Sequence, residues 1–115
     1  MGVGRRGRGG EVRVDRVVLF GEREASLEAR IDRYERAELL KNLVERARTF
    51  EELVKLLYDH GFRLVKVPGI MIAYGCRAIA DLYFWILDNG KDVASIRITL
   101  RGTQYDLAPY WEFYK

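Results

Sequence analysis

Cysteine and histidine occur once each in this 115-residue chain, as Cys76 and His60. A lone thiol excludes an intramolecular disulfide, and one histidine with one cysteine is too small a ligand set for an ordinary structural zinc site. A Ser-His-Asp triad would have to use His60. Uncharged polar residues are scarce too: Gln104, Asn42, Asn89, Ser26, Ser95, Thr49, Thr99 and Thr103 are the whole stock, against fifteen Arg and ten Glu. That bias away from thermolabile amides and toward charge suits a hot-adapted, archaeal-like source. No basic start leads into a long apolar run, so neither a signal peptide nor a membrane helix is expected. Arg6 stands where a myristoylation pattern needs a hydroxyl residue. The expectation is a cytoplasmic protein with no membrane partner.

What remains is rich in core-forming material. The chain is 49% hydrophobic and 32% charged, enough apolar surface to offset chain entropy in one domain of this length. Its net charge of +3 is local. Arg5, Arg6 and Arg8 stand in the first ten residues without an acid, and residues 11–115 hold 17 basic and 17 acidic side chains. Residues 1–10, with five glycines, are expected to be a disordered basic tail, and residues 11–115 a single folded domain. A short Arg/Gly tail can attract phosphates and stack guanidinium planes on unpaired bases, so RNA or single-stranded DNA is an expected partner at Arg5, Arg6 and Arg8. A frayed terminus without consequence is the plain alternative. Gly2, Gly4 and Gly7 match a dinucleotide-loop spacing but have no strand before them to aim the turn.

Along the body, Val12, Val14 and Val17 to Phe20 predict a strand that stops at Gly21. From Glu22 to Ala47, Leu27, Ile31, Tyr34, Ala37, Leu40, Leu43, Val44 and Ala47 recur at three- and four-residue intervals, which predicts one long helix. Thr49 and Glu52 predict a capped second helix ending at Gly61, with His60 against its last carbonyls and Phe62 folded back on it. Phe62 to Val67 and Ile70 to Tyr74 read as two strands turning at Pro68-Gly69. Residues 76–88 fit strand or helix, with the strand favoured by Asn89-Gly90 and by the alternation from Ala94 to Leu100. The final segment, 108–114, fits a strand or a short helix. Together these predict an α+β fold, two helices packed on one face of a mostly antiparallel sheet of about four to five strands.

The stretch Glu51 to Leu100, a helix ending His-Gly-Phe and followed by Arg-Leu-Val-Lys and several strands, resembles the HicA toxin family, small ribonucleases with a double-stranded-RNA-binding type of fold. The resemblance covers under half of the chain. That family carries a catalytic histidine soon after the glycine that follows its first strand, whereas Ile70, Met71 and Ile72 follow Gly69 here. No catalytic residue is carried over.

No other pattern marks catalysis, a metal or a cofactor. Asp81, Asp88, Asp92 and Asp106 lie at turns and strand ends, where short acids bond to local backbone. A small carboxylate-dependent hydrolase or nuclease would have to gather two of them with Glu112. The aromatic residues Tyr83, Phe84, Trp85, Tyr105, Tyr110, Trp111, Phe113 and Tyr114 can serve a core, a subunit interface or base stacking, with core or terminal docking first for the closing segment, then an interface, then stacking. The leading expectation is a nonenzymatic binding module that touches nucleic acid through its arginine tail and one face of its sheet. The alternative is a homo-oligomeric structural or adaptor protein whose interface uses Tyr110, Trp111, Phe113 and Tyr114.

Overall fold

A computed structural model describes residues 10–74 and 77–110 of the chain. Five antiparallel strands form one sheet in the order β1-β2-β5-β4-β3, and two helices lie on one of its faces. The expected α+β architecture is present. β1 (Glu11–Phe20) pairs with β2 (Arg23–Asp32) across a turn in which Gly21 takes φ +66°. A side chain there would be strained, so glycine fits the turn.

β2 corrects the predicted long helix. Only the second half of Glu22–Ala47 is helical, as α1 (Ala37–Arg46). Residues 23–32 alternate instead: Ala25, Leu27, Ala29 and Ile31 are buried, and Glu24, Ser26 and Arg30 are exposed. Leu27 and Ile31 satisfy a four-residue spacing and a two-residue spacing alike. Pairing with β1 and β5 decides the matter, because each strand neighbour satisfies a row of backbone groups that a helix would satisfy internally.

α2 (Phe50–Asp59) starts as expected, with Thr49 Oγ1 accepting from the Glu52 amide at 3.0 Å. Its Glu52 carboxylate returns to the Arg48 amide at 2.9 Å rather than to that of Thr49. Gly61 ends it at φ +89°, and His60 Nδ1 lies 2.9 Å from the Leu56 carbonyl oxygen. Phe62 is buried directly behind. β3 (Phe62–Tyr74) is one strand and not two: it pairs with β4 (Arg77–Asp88) along its length, and Pro68-Gly69 sits at a shift of register between Val67 and Ile70. An edge strand tolerates a proline, since the lost N–H need not belong to the ladder. The second hairpin forms as predicted, with Asn89 at φ +58° and Gly90 at φ +80° joining β4 to β5 (Lys91–Gly102). Residues 77–88 are therefore strand. A further short helix, α3 (Gln104–Leu107), is closed by a reciprocal Thr103–Asp106 cap.

The core lies between the sheet and the helices. Leu40, Leu43, Leu53 and Leu57 from the helices meet Leu27, Ile31, Leu82, Ile86, Ile96, Ile98 and Leu100 from the strands, all essentially without solvent exposure. Phe50 bridges Phe20 and Phe84 with ring centroids 5.0 Å from each. Arg16 points to the helical side and donates to the Val44 carbonyl at 2.8 Å and to that of Glu45, answering the free carbonyls at the end of α1. Among the described residues, no helix is long and apolar enough to cross a membrane.

Candidate functional site

Among the described residues, the helices cover one side of the sheet and leave the other side open. Strand pairing places its side chains in rows. One row runs Val65, Trp85, Ser95, Arg30, Arg13, and the next runs Val67, Tyr83, Arg97, Glu28, Asp15. Three arginines converge on Glu28: Arg13 and Arg97 at 2.8 Å, and Arg30 at 3.4 Å. The Glu28 side chain is 12% exposed, whereas those of Arg13, Arg30 and Arg97 are about half exposed, 54%, 48% and 46%. Asp15 beside Arg13 and Glu11 beside Arg30 bring the carboxylates of this cluster to three, so its three guanidinium groups are balanced in charge.

Burial by itself would lower the Arg97 pKa. The Glu28 carboxylate, the Tyr83 hydroxyl and Asp81 outweigh it and raise the value. Arg97 is thus a fixed cation beside an aromatic ring. Between these groups runs a groove of about 450 Å³ lined by Glu28, Arg30, Tyr83, Trp85, Ser95 and Arg97. Tyr83 and Trp85 on β4 line it on one side and Glu28 and Arg30 on β2 on the other, with Ser95 and Arg97 on β5 between them.

A larger hollow, about 740 Å³, lies at the end of the fold where the α2–β3 and β4–β5 turns meet Tyr34 and Arg36. Its chemistry is already committed. Arg36 donates to buried Asp88 at 2.9 Å and to the His60 carbonyl at 2.6 Å, and its guanidinium lies 4.6 Å from the Phe62 ring centroid. That set ties the start of α1 to the end of α2 and to the second hairpin. Burial, then the charge of Asp88, pushes the Tyr34 phenol well above its ordinary value, so the hydroxyl stays protonated.

The residues singled out from sequence fall in several places. Arg5, Arg6, Arg8, Trp111, Phe113, Tyr114 and Cys76 lie outside the described residues. Tyr110 packs within its own chain: its ring lies 5.2 Å from Phe20 and its hydroxyl donates to the Phe20 carbonyl at 2.8 Å. The acidic residues stay apart, with Asp81 accepting from Thr99 at 2.7 Å, Asp88 on Arg36, and Asp106 in the cap of α3. No group of three His, Cys, Asp or Glu side chains able to hold a metal ion occurs among the described residues. Sequence reasoning missed the grouping of Arg30 and Arg97 with Tyr83 and Trp85. The signal was the alternation of Glu24, Ser26, Glu28 and Arg30 with small and apolar residues, which puts them on one face only if the segment is a strand.

No family model, curated protein or solved structure matches the chain. The class the fold defines is a two-layer α+β domain with an open sheet face, and the chemistry of that face carries the functional argument.

Proposed function

We propose that this chain is a nonenzymatic binding module that takes single-stranded nucleic acid on the open face of its sheet. The observation that carries the reading is the placement of Tyr83 and Trp85 beside Arg97 and Arg30 on a sheet face that no helix among the described residues covers. Aromatic rings on a sheet stack unpaired bases of any sequence, and arginine supplies both phosphate attraction and a stacking plane. Because the face carries acids as well as bases, the three tail arginines contribute much of the long-range attraction.

The test is fluorescence anisotropy with a labelled single-stranded RNA and DNA of about a dozen nucleotides, close to the upper site size of one sheet domain. The intact chain binds at low salt, and the double substitution Tyr83→Ala with Trp85→Ala weakens binding at least tenfold while the thermal melt keeps its cooperativity. Absence of binding by the intact chain at about 50 mM salt, where phosphate contacts are strongest, sinks the reading.

A second reading draws on a different observation. Val17 (57% exposed) and Leu19 (42%) on β1, with Val65 (40%) on β3, put apolar groups at both margins of the open face. Two copies stacked through this face would bury those margins, making the protein a homo-oligomeric adaptor. Light scattering separates the two: a dimer at tens of micromolar that Val17→Lys and Val65→Lys convert to monomer favours the adaptor.

A further inference from the structure

The two rows that cross the open face differ at their centre. In one, Arg97 stands between Tyr83 and Glu28 and its long side chain pairs with Glu28 at 2.8 Å. In the other, the central residue is Ser95, with Trp85 on β4 to one side and Arg30 on β2 to the other. Neighbouring strands lie about 4.8 Å apart, so Trp85 and Arg30 stand on backbones about 9.6 Å apart. A flat ring held between two others needs roughly 3.5–4.0 Å on each side, about 7–8 Å in all. A short serine side chain between a tryptophan and an arginine thus leaves a slot of the right width for one planar group, and the same residues line the groove described above.

Resting on that reading of the face, we infer that Ser95 is the floor of a subsite that receives one unpaired nucleobase, sandwiched between the Trp85 indole and the Arg30 guanidinium. The indole contributes stacking, and the guanidinium contributes stacking and cation–π attraction. The Ser95 hydroxyl, both donor and acceptor, meets the base edge without preference for one pattern. Arg30 can serve as a wall because its contacts with Glu28 and Glu11, at 3.4 and 3.9 Å, are long for charge-assisted bonds, which leaves its plane adjustable. Arg13, the next residue in the row, lies on the outer side of Arg30, where a phosphate of the same strand would pass. The described chain also begins at this margin: the Gly10 carbonyl accepts from the Arg33 amide at 2.7 Å, three residues along the chain from Arg13.

The experiment uses the full chain with Trp111→Phe, which makes Trp85 its single tryptophan, titrated with a single-stranded oligonucleotide and with a nucleoside monophosphate. Both quench Trp85 emission if a base stacks on the indole. Ser95→Phe fills the slot, removing the quenching and weakening oligonucleotide binding about tenfold or more, the usual loss for one stacked base. Ser95→Ala leaves the slot open and stays within about threefold of the parent, since one solvated hydroxyl contact contributes little. Arg30→Leu removes one wall without adding bulk, and lowers affinity even if Ser95→Phe fails to fold. Unchanged quenching and affinity in both Ser95→Phe and Arg30→Leu overturn the subsite while the intact chain still binds, so the wider nucleic-acid reading survives. No quenching by either ligand, with no anisotropy change for the oligonucleotide, overturns both. Anisotropy change without Trp85 quenching places the strand elsewhere on the face and overturns the subsite alone.

Discussion

Gly21 and Gly90 offer a controlled comparison, because both hold a left-handed backbone, at φ +66° and +80°, and only one has a neighbour. A Cβ on Gly21 would stand 2.8 Å from the Tyr110 hydroxyl, and one on Gly90 would meet nothing within 4 Å. Gly90→Ala therefore costs the strain alone, about 1 kcal/mol, and Gly21→Ala costs about 1 kcal/mol more because Tyr110 must release the Phe20 carbonyl. Denaturant midpoints of the two variants check this, and equal losses would mean that Tyr110 does not dock on the turn. Tyr34 offers a second test. Its folded pKa is raised above the ordinary value near 10 by burial and by Asp88, so the folded state holds the proton that the unfolded chain gives up. A raised value contributes stability that is full below the unfolded pKa and is lost as pH rises past it. Stability should thus fall from about pH 10 upward more steeply in the parent than in Tyr34→Phe. Parallel melting curves for the two across pH 9 to 11 would refute the assignment.

Arg36 works between elements. It stands just before α1, bonds the last turn of α2 through the His60 carbonyl, and pairs with Asp88 at the end of β4. Replacing it with alanine strands a carboxylate that is 9% exposed. The full penalty for orphaning a buried charge is several kcal/mol, and because the Arg36 side chain is 39% exposed, about 2 kcal/mol is expected from urea unfolding. The further substitution Asp88→Asn in that background should recover part of the loss, and failure to recover any would show that Arg36 acts through Phe62 and His60 instead. The elements themselves were unevenly legible. Thr49, Gly61 and Asn89-Gly90 announced their boundaries because caps and left-handed turns need particular side chains locally. Residues 23–32 did not, since Ala25, Leu27, Ala29 and Ile31 line a strand face while Leu27 and Ile31 also line a helix face. Pro68-Gly69 carried a turn signal, but the pair lies at an irregularity of an edge strand. The cap of α3 at Thr103 and Asp106 was readable in principle, yet its helix spans only Gln104–Leu107 and leaves no periodicity.

At the scale of the whole molecule the proposed function divides between a folded face and a charged tail, and salt distinguishes them. Removing residues 1–10 deletes three arginines, so the slope of log affinity against log salt for a single strand should become shallower by about 2, while the oligonucleotide still quenches Trp85 in the Trp111→Phe background. An unchanged slope would remove the tail from the interface. The sequence by itself determined that the charge excess lies in Arg5, Arg6 and Arg8, that one α+β core with its helices on one face of a sheet would form, and that two helix ends and one hairpin turn would fall where they do. These are properties of composition and of residues a few positions apart. Only the tertiary structure decided that Arg13, Arg30 and Arg97 meet on Glu28, and that Ser95 lies between Trp85 and Arg30. Those groups come from β1, β2, β4 and β5, up to eighty-four positions apart (Arg13 to Arg97). Their juxtaposition depends on the sheet order β1-β2-β5-β4-β3, which is set by which strand edges pair once the helices have covered one face, a long-range outcome that no local spacing encodes.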